Sequence, residues 1–171
     1  MSELSAGARL LLIGYGNPGR RNDGLGPAFA AEVERLGLAG VSVDSNYQLV
    51  VEDAEAVARH PLLVLADAAA DGPEPFSFQR LEPELHYEFT THSLSPGSLL
   101  ALAGEAFGRA PAGWLLGIRG YEFDEFGEGL SAKARRNLEA ALVFFSGWMR
   151  DNAPETAAPR SAVFEGRKEE S

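Results

Sequence analysis

The sequence predicts a three-layer α/β sandwich around a twisted, mostly parallel sheet of about five strands. Apolar segments of strand length alternate along the chain with amphipathic segments of helical period, an order typical of this fold class. Residues 62–66 are continuously apolar, as in a strand that is covered on both faces. A glycine-rich loop joins the first apolar run, residues 10–13, to a helix. The carboxyl edge of a parallel sheet is where ligands bind in such folds, so functional residues are expected just after strands.

The strands are predicted from short apolar runs that end at turns. They cover residues 9–13, 41–44, 62–66 and 114–118. Residues 76–81 and 85–90 alternate between apolar and polar side chains, and Glu82-Pro83-Glu84 separates them. This pattern indicates a hairpin or two consecutive edge strands.

The helices are predicted from apolar residues at helical spacing and from capping residues. They cover residues 27–36, 51–59, 95–107 and 131–149. Pro27 begins the first helix, and Gly37 ends it. Ser95 and Ser131 are the expected N-caps of the last two helices.

Length and composition limit the domain organisation and the function classes. The periodicity stops at residue 151, so we expect one α/β domain over residues 1–150 and a flexible tail over residues 151–171. The net charge of −10 disfavours a nucleic-acid partner, because contacts from Lys and Arg to phosphate dominate that affinity. Without cysteine the chain forms no disulfide, thiolate metal site or cysteine nucleophile. We see no signal segment or membrane span and expect a cytoplasmic protein.

Two aspartates follow predicted strands. Asp23 lies in the glycine-rich loop, and its simplest alternative role is to cap the helix that begins at Pro27. Asp67 directly follows the apolar run 62–66, where a carboxylate is costly to desolvate unless it is paired, hydrogen-bonded or at the sheet edge. Its alternative role is that of a turn or capping residue. Both positions are those expected for site residues in such a sheet.

The chain has three histidines, and one of them is a candidate site residue. His92 lies between the predicted hairpin and a helix. A lone loop histidine is often an ordinary surface residue, and we interpret His60 and His86 in that way. Asp23, Asp67 and His92 together offer two carboxylates and one imidazole, a set that suits divalent Zn, Ni, Mn or Fe. Because they share no short ligand spacing, the site requires the fold to bring three loops together.

The glycine-rich loop also matches a dinucleotide-binding motif. Gly14-Tyr15-Gly16-Asn17-Pro18-Gly19 satisfies G-x-G-x-x-G, and Asp44 ends the next predicted strand where a ribose-binding acid belongs. That motif should open a helix at once, so that the helix N-terminus can hold the pyrophosphate. Here residues 20–26 continue as an irregular loop before Pro27.

Part of the same loop resembles the opening of the bacterial peptidyl-tRNA hydrolases. Those enzymes follow an apolar strand with Gly-Asn-Pro-Gly, as in Gly16-Asn17-Pro18-Gly19. They continue to a Thr-Arg-His-Asn element that carries the catalytic histidine. This chain has Arg21-Asn22-Asp23-Gly24 and no histidine there. The missing histidine and the acidic charge both disfavour an esterase of this kind.

Taken in order, a larger set of motifs resembles the hydrogenase maturation endopeptidases, peptidase family M52. These motifs are Gly14-Tyr15-Gly16-Asn17, Asn22-Asp23-Gly24-Leu25-Gly26, Asp67-Ala68, Thr91-His92-Ser93-Leu94-Ser95, Gly117-Ile118 and Gly129-Leu130-Ser131. The resemblance covers about residues 9–149. Asn22 departs from the family pattern, which usually has an acid there. Gln48-Leu49 followed by Glu52 is similar to members that serve soluble, cytoplasmic hydrogenases.

The resemblance implies a nickel-dependent endopeptidase. Such an enzyme removes the C-terminal extension of a nickel-iron hydrogenase large-subunit precursor after nickel insertion. It implies that Asp23, Asp67 and His92 are the catalytic residues and contact nickel held by the precursor, so that no tightly bound metal of its own is expected. Either carboxylate can be the general base, and we expect a monomer. A dinucleotide-binding protein, a peptidyl-tRNA hydrolase-like esterase and a non-catalytic nickel-binding protein remain the alternatives.

Overall fold

The computed structural model describes residues 9–84 and 93–152, and it contains a five-stranded sheet. The strands are β1 (Leu10–Tyr15), β2 (Val41–Asn46), β3 (Leu62–Ala69), β4 (Phe76–Leu81) and β5 (Ala112–Arg119). Their order across the sheet is β2-β1-β3-β5-β4. All neighbours are parallel except β4, which runs antiparallel to β5 at the edge. The predicted fold class is confirmed.

In the described part of the chain, four α-helices cover the two faces of this sheet. They are α1 (Leu25–Leu36), α2 (Asp53–Ala58), α3 (Pro96–Phe107) and α4 (Ala132–Asn152). Alternate residues of β1 point to opposite faces, because the side-chain period of a strand is two. Leu10 and Leu12 pack with the buried side chains of α1 and α4, whereas Leu11 and Ile13 pack with those of α2 and α3. The sheet is therefore the central layer of three.

The capping residues predicted from the sequence lie at the ends of three of these helices. Ser95 Oγ accepts a hydrogen bond from Ser98 N at 3.2 Å, at the start of α3. Ser131 Oγ accepts one from Ala134 N at 3.3 Å, at the start of α4. Gly37 ends α1 in the left-handed conformation, with φ of 64°.

Several element ends differ from the prediction. β3 continues to Ala69, because its backbone pairs with β5 as far as Ala69 opposite Arg119, beyond the apolar run. Asp67 therefore lies inside the strand rather than after it. α2 is shorter than predicted, and α1 begins two residues before Pro27.

The C-terminal helix is longer than predicted. α4 continues to Asn152, so the predicted start of the tail falls within this helix. Residues 153–171, most of the predicted tail, lie outside the described part of the chain, as do residues 85–90, the second half of the predicted hairpin. Within residues 9–84 and 93–152, no helix has the length and apolar character needed to cross a membrane.

Candidate active site

Asp67 lies at the carboxyl edge of the sheet. It is opposite Gly117 of β5, whereas the pairing of β3 with β1 ends one residue earlier, at Ala66. Its Oδ1 accepts a hydrogen bond from Ala68 N at 2.8 Å. The side chain of Tyr15, the last residue of β1, donates a second hydrogen bond to the carboxylate. Asp67 is thus held by two donors at the rim of the sheet.

The surroundings of Asp67 make it a weak acid. Its pKa is raised to about 6, mainly by burial and to a smaller extent by the negative charge of Asp23, although the two hydrogen bonds lower it. Burial and the neighbouring Asp67 carboxylate also raise the pKa of the Tyr15 hydroxyl, which therefore remains protonated and donates. The negative charge of Asp23 acts on the Asp67 carboxyl group, so the two side chains lie within electrostatic range of each other.

Asp23 lies in a short 3-10 helix, Arg21–Gly24, between β1 and α1. Its Oδ2 accepts a hydrogen bond from Asn17 N at 2.9 Å. No side chain caps α1 in the described residues, so capping is not the role of Asp23. The carboxylate borders a cavity of about 190 Å³ that is lined by Arg20, Asp23 and Phe123. The Asp23 carboxylate is therefore hydrogen-bonded within its loop and also borders open space.

The glycines of the loop serve the packing of α1 against the strand ends. A side-chain carbon on Gly26 would collide with the carbonyl oxygens of Tyr15 and Ala66, and one on Gly14 would collide with the carbonyl of Gly26. Gly16, with φ of 141°, lies against the backbone of Asp23. This close approach lets the chain return from β1 to the edge beside β3 and places Asp23 near Asp67.

The same packing disfavours the dinucleotide-binding alternative. The glycine positions that would cradle a pyrophosphate are filled by the chain itself, and a 3-10 helix precedes α1. Asp44, the candidate ribose ligand, is only 5% exposed within β2, and its Oδ1 accepts a hydrogen bond from Ser45 N at 2.9 Å.

Asn22, the residue that departs from the family pattern in the sequence, lies beside Asp23. Asn22 is fully buried, and its Oδ1 accepts hydrogen bonds from Tyr121 N, Glu122 N and Ser131 Oγ at 2.8, 3.0 and 3.1 Å. These donors come from the segment between β5 and α4, about a hundred residues away. The only signal in the sequence was the amide at a position where the similar family usually has an acid.

The histidines have different outcomes. His92 and His86 lie outside the described residues, so the role of His92 stays a prediction. His60 is buried, and its Nδ1 lies 2.7 Å from the Ala56 carbonyl oxygen. The interpretation of His60 as a surface residue was therefore wrong, because the ring closes the end of α2. Within residues 9–84 and 93–152, no three His, Asp or Glu side chains form a metal-binding group.

Comparison with known proteins gives similarity in structure but not in sequence. No protein-family model and no curated protein matches the chain. Its structure is similar to the hydrogenase maturating endopeptidase HybD from E. coli, with a TM-score of 0.68 and 20% identity over 85% of this chain and 94% of that one.

Archaeal proteins share this fold as well. The [NiFe] hydrogenase maturation protease HycI from Thermococcus kodakarensis gives a TM-score of 0.64 and 21% identity over 85% of this chain and 95% of that one. The hydrogenase 2 maturation peptidase from a Thaumarchaeota archaeon gives a TM-score of 0.61 and 20% identity over 82% of this chain and 97% of that one. The chain has the fold of the hydrogenase maturation endopeptidases, along nearly the whole length of those proteins.

Proposed function

We propose that this protein is an endopeptidase that removes the C-terminal extension of a nickel-iron hydrogenase large-subunit precursor after nickel insertion. The observation that carries the proposal is the pair of neighbouring carboxylates, Asp23 and Asp67, at the carboxyl edge of a sheet with the maturation-endopeptidase fold. Structural similarity supports the fold, and the partly exposed pair of carboxylates supports chemistry at this edge.

In the proposed reaction the nickel is part of the substrate. It is held by the precursor, and Asp23, Asp67 and His92 contact it from the side of the enzyme. Carboxylate and imidazole ligands suit divalent nickel. The ion then serves as the recognition element and orients the scissile peptide bond against the carboxylates. The enzyme needs no tightly bound metal of its own for this role.

We assign general-base catalysis to Asp67. Its pKa of about 6 is close to neutral pH, and a base is most effective when its pKa lies near the working pH. The ionised carboxylate takes a proton from the attacking water, which adds to the carbonyl carbon of the scissile bond. That proton then passes to the leaving amine as the carbon–nitrogen bond breaks. Tyr15 remains protonated and keeps Asp67 oriented.

The proposal includes the setting in which the enzyme works. We propose a monomer that acts in the cytoplasm on a folded, nickel-loaded precursor. The cysteine-free composition and the acidic surface are compatible with this setting.

Processing of the precursor by the pure protein tests the proposal. We expect the nickel-loaded precursor to lose its C-terminal peptide and the nickel-free precursor to remain intact, as measured by the intact mass of each. The same incubation with an Asp71→Asn variant, which alters an exposed acid in the turn after β3, should give the wild-type result. Binding of the loaded precursor without cleavage would instead support a non-catalytic nickel-binding protein, and equal cleavage of both forms would contradict nickel recognition.

A further inference from the structure

The turn that carries Asp23 is joined to a distant segment by hydrogen bonds. Gly127 N donates to the Gly19 carbonyl at 2.7 Å, and Arg21 N donates to the Gly127 carbonyl at 2.9 Å. Arg21 adopts a φ of 52°, in the left-handed region that side chains rarely occupy. A strained turn of this kind persists only where its surroundings hold it in place.

Asn22 makes the buried part of this connection. Its side-chain oxygen accepts three hydrogen bonds, and its own N–H donates to the Glu122 carbonyl at 2.9 Å. Gly120 lies so close that a side-chain carbon there would be 2.9 Å from the Cβ of Asn22. Residues between the end of β5 and the start of α4 therefore contact this one side chain.

The groups around the Asn22 side chain favour a hydrogen-bond acceptor at this position. All the donors converge on Oδ1, whereas Nδ2 is buried and has no hydrogen-bond partner among the described residues. Exchanging the two amide atoms would place Nδ2 against two backbone N–H groups, so the orientation follows from the donors. An aspartate would keep the accepting oxygen and its three donors, and its second oxygen would replace the unpartnered Nδ2. An apolar residue of similar size would leave two backbone donors unsatisfied.

We propose that Asn22 is a positioning residue of the site: its carbonyl oxygen fixes the Asp23 turn to the segment between β5 and α4 and so sets the place of the Asp23 carboxylate. The carboxylate follows Asn22 directly in the 3-10 helix and is held at its other end by Asn17 N. Movement of the turn therefore moves Asp23 relative to Asp67, which lies on a strand and cannot follow. The kinetic part of this inference rests on the proposed function.

The first test needs no activity. The Asn17 amide proton is bonded to Asp23 Oδ2, so its hydrogen exchange reports whether the carboxylate is in place. In Asn22→Leu we expect this exchange to become at least about tenfold faster, whereas in Asn22→Asp it should stay close to wild type. Unchanged exchange in Asn22→Leu, or equal acceleration in both variants, would overturn the proposal.

Asn137→Leu is the matched control. Asn137 is also buried, and its Nδ2 donates to the carbonyl of Arg119 at the end of β5 and to the hydroxyl of Tyr121 in the segment that follows. Neither of these hydrogen bonds reaches the Asp23 turn. We expect it to lower the melting temperature and to leave the Asn17 amide unaffected. If Asn137→Leu accelerates exchange of the Asn17 amide as much as Asn22→Leu does, general destabilisation of the segment explains both effects, and the proposal is wrong.

The second test is kinetic. Misplacing a reacting group by about an ångström can lower the rate by about 10²-fold, so Asn22→Leu should lower kcat to that extent with little change in KM for the loaded precursor. Asn22→Asp should restore kcat to within about threefold of wild type. If the wild type cleaves nothing, the proposed function fails, and the amide-exchange test still decides the role of Asn22.

A further variant covers the case in which Asn22→Leu does not fold. Ser131→Ala removes the side-chain donor to Asn22 Oδ1 and also the hydrogen bond from Ala134 N that caps α4, but it keeps both backbone donors to Oδ1. We expect exchange of the Asn17 amide to become several-fold faster in this variant, because one of three bonds is lost. Exchange at the wild-type rate would contradict the proposal.

Discussion

Two pairs of aspartates near the carboxyl edge of the sheet differ in what their oxygens contact. Asp44 and Asp53 are both less than 10% exposed, and Asp53 has partners on both oxygens, Asn46 Nδ2 at 3.3 Å and Val50 N at 2.9 Å. Asp23 and Asp67 are only partly buried, and Asp23 borders a cavity. The protein encloses the first pair, whereas the second pair keeps part of its surface exposed and Asp23 borders a cavity.

The comparison shows that a perturbed pKa alone does not identify a functional carboxylate. Burial raises the pKa of Asp44 and of Asp53 as it raises that of Asp67, and Asp44 acts on Asp53 as Asp23 acts on Asp67. Access to a substrate separates the pairs, because a general base must reach the proton that it takes. The following experiments test this separation.

The largest difference is expected in catalysis. Asp67→Asn removes the proposed base, so we expect processing of nickel-loaded precursor to fall by about 10²-fold or more. Asp44→Asn, which changes a buried carboxylate in the other pair, should process at close to the wild-type rate. Initial rates of peptide release provide the measurement. If Asp44→Asn is the inactive variant, the dinucleotide-binding alternative regains support.

The approach of the Asp23 turn to the strand ends is tested by Gly26→Ala. The added methyl group collides with the Tyr15 and Ala66 carbonyl oxygens, and overpacking of this kind destabilises by about 1 to 3 kcal/mol. Chemical denaturation measures the loss. Gly37→Ala is the control, because its surroundings are open within 4 Å and only its positive φ opposes a side chain. A smaller loss for Gly26→Ala than for Gly37→Ala would contradict the tight packing.

The pH dependence of stability tests the surroundings of Asp67. Its folded pKa of about 6 lies above the value of about 3.9 for an unfolded aspartate, so the folded state binds this proton more tightly. The contribution of Asp67 to stability is therefore fully present below about pH 4 and is lost as the pH rises through about 6.

An Asp67→Asn variant lacks this loss. Relative to wild type, its melting temperature should rise between about pH 4.5 and about pH 8. Asp71→Asn, at an exposed position, should show no such trend. A constant difference across this range would mean that the Asp67 pKa is close to that of an unfolded aspartate. The processing rate of the wild type should rise over the same range, as Asp67 ionises.

The smallest effect is expected for Asp53→Ala. Asp53 closes the turn ahead of α2 through its bond to Val50 N, an interaction like that of a helix cap. Loss of this hydrogen bond lowers the free energy of unfolding. Removing the buried carboxylate, which is itself unfavourable, offsets part of this loss, so we expect the free energy of unfolding to fall by less than about 1 kcal/mol. Denaturation measures the change, and processing should remain at the wild-type rate. A large loss of processing would place Asp53 in the functional pair.

The part of the site that lies on a strand was predictable from the sequence. The apolar run 62–66 predicts β3 directly, and a carboxylate that follows such a run is expected at the carboxyl edge of the sheet. The exact end of β3 was not predictable, because pairing with β5 extends it to Ala69. His92 remains a prediction outside the described residues.

The loop part of the site depends on contacts that no local pattern contains. The capping alternative for Asp23 was reasonable, since an aspartate before a helix is most often a cap. The structure instead directs its carboxylate to Asn17 N and places the side chain of Asn22 among donors from the other half of the chain. Those donors are invisible in the sequence, because hydrogen bonds between distant segments leave no periodic signal.

Hydrophobic period and capping residues were enough to specify the order of strands and helices, the two covered faces of the sheet and the edge at which the acids lie, since these follow from interactions between near neighbours. Only the tertiary structure decided that Asp23 lies near Asp67, that the pKa of Asp67 is raised, and that Asn22 is a buried hydrogen-bond acceptor. These features depend on burial and on bonds across about a hundred residues, which exist only in the packed molecule.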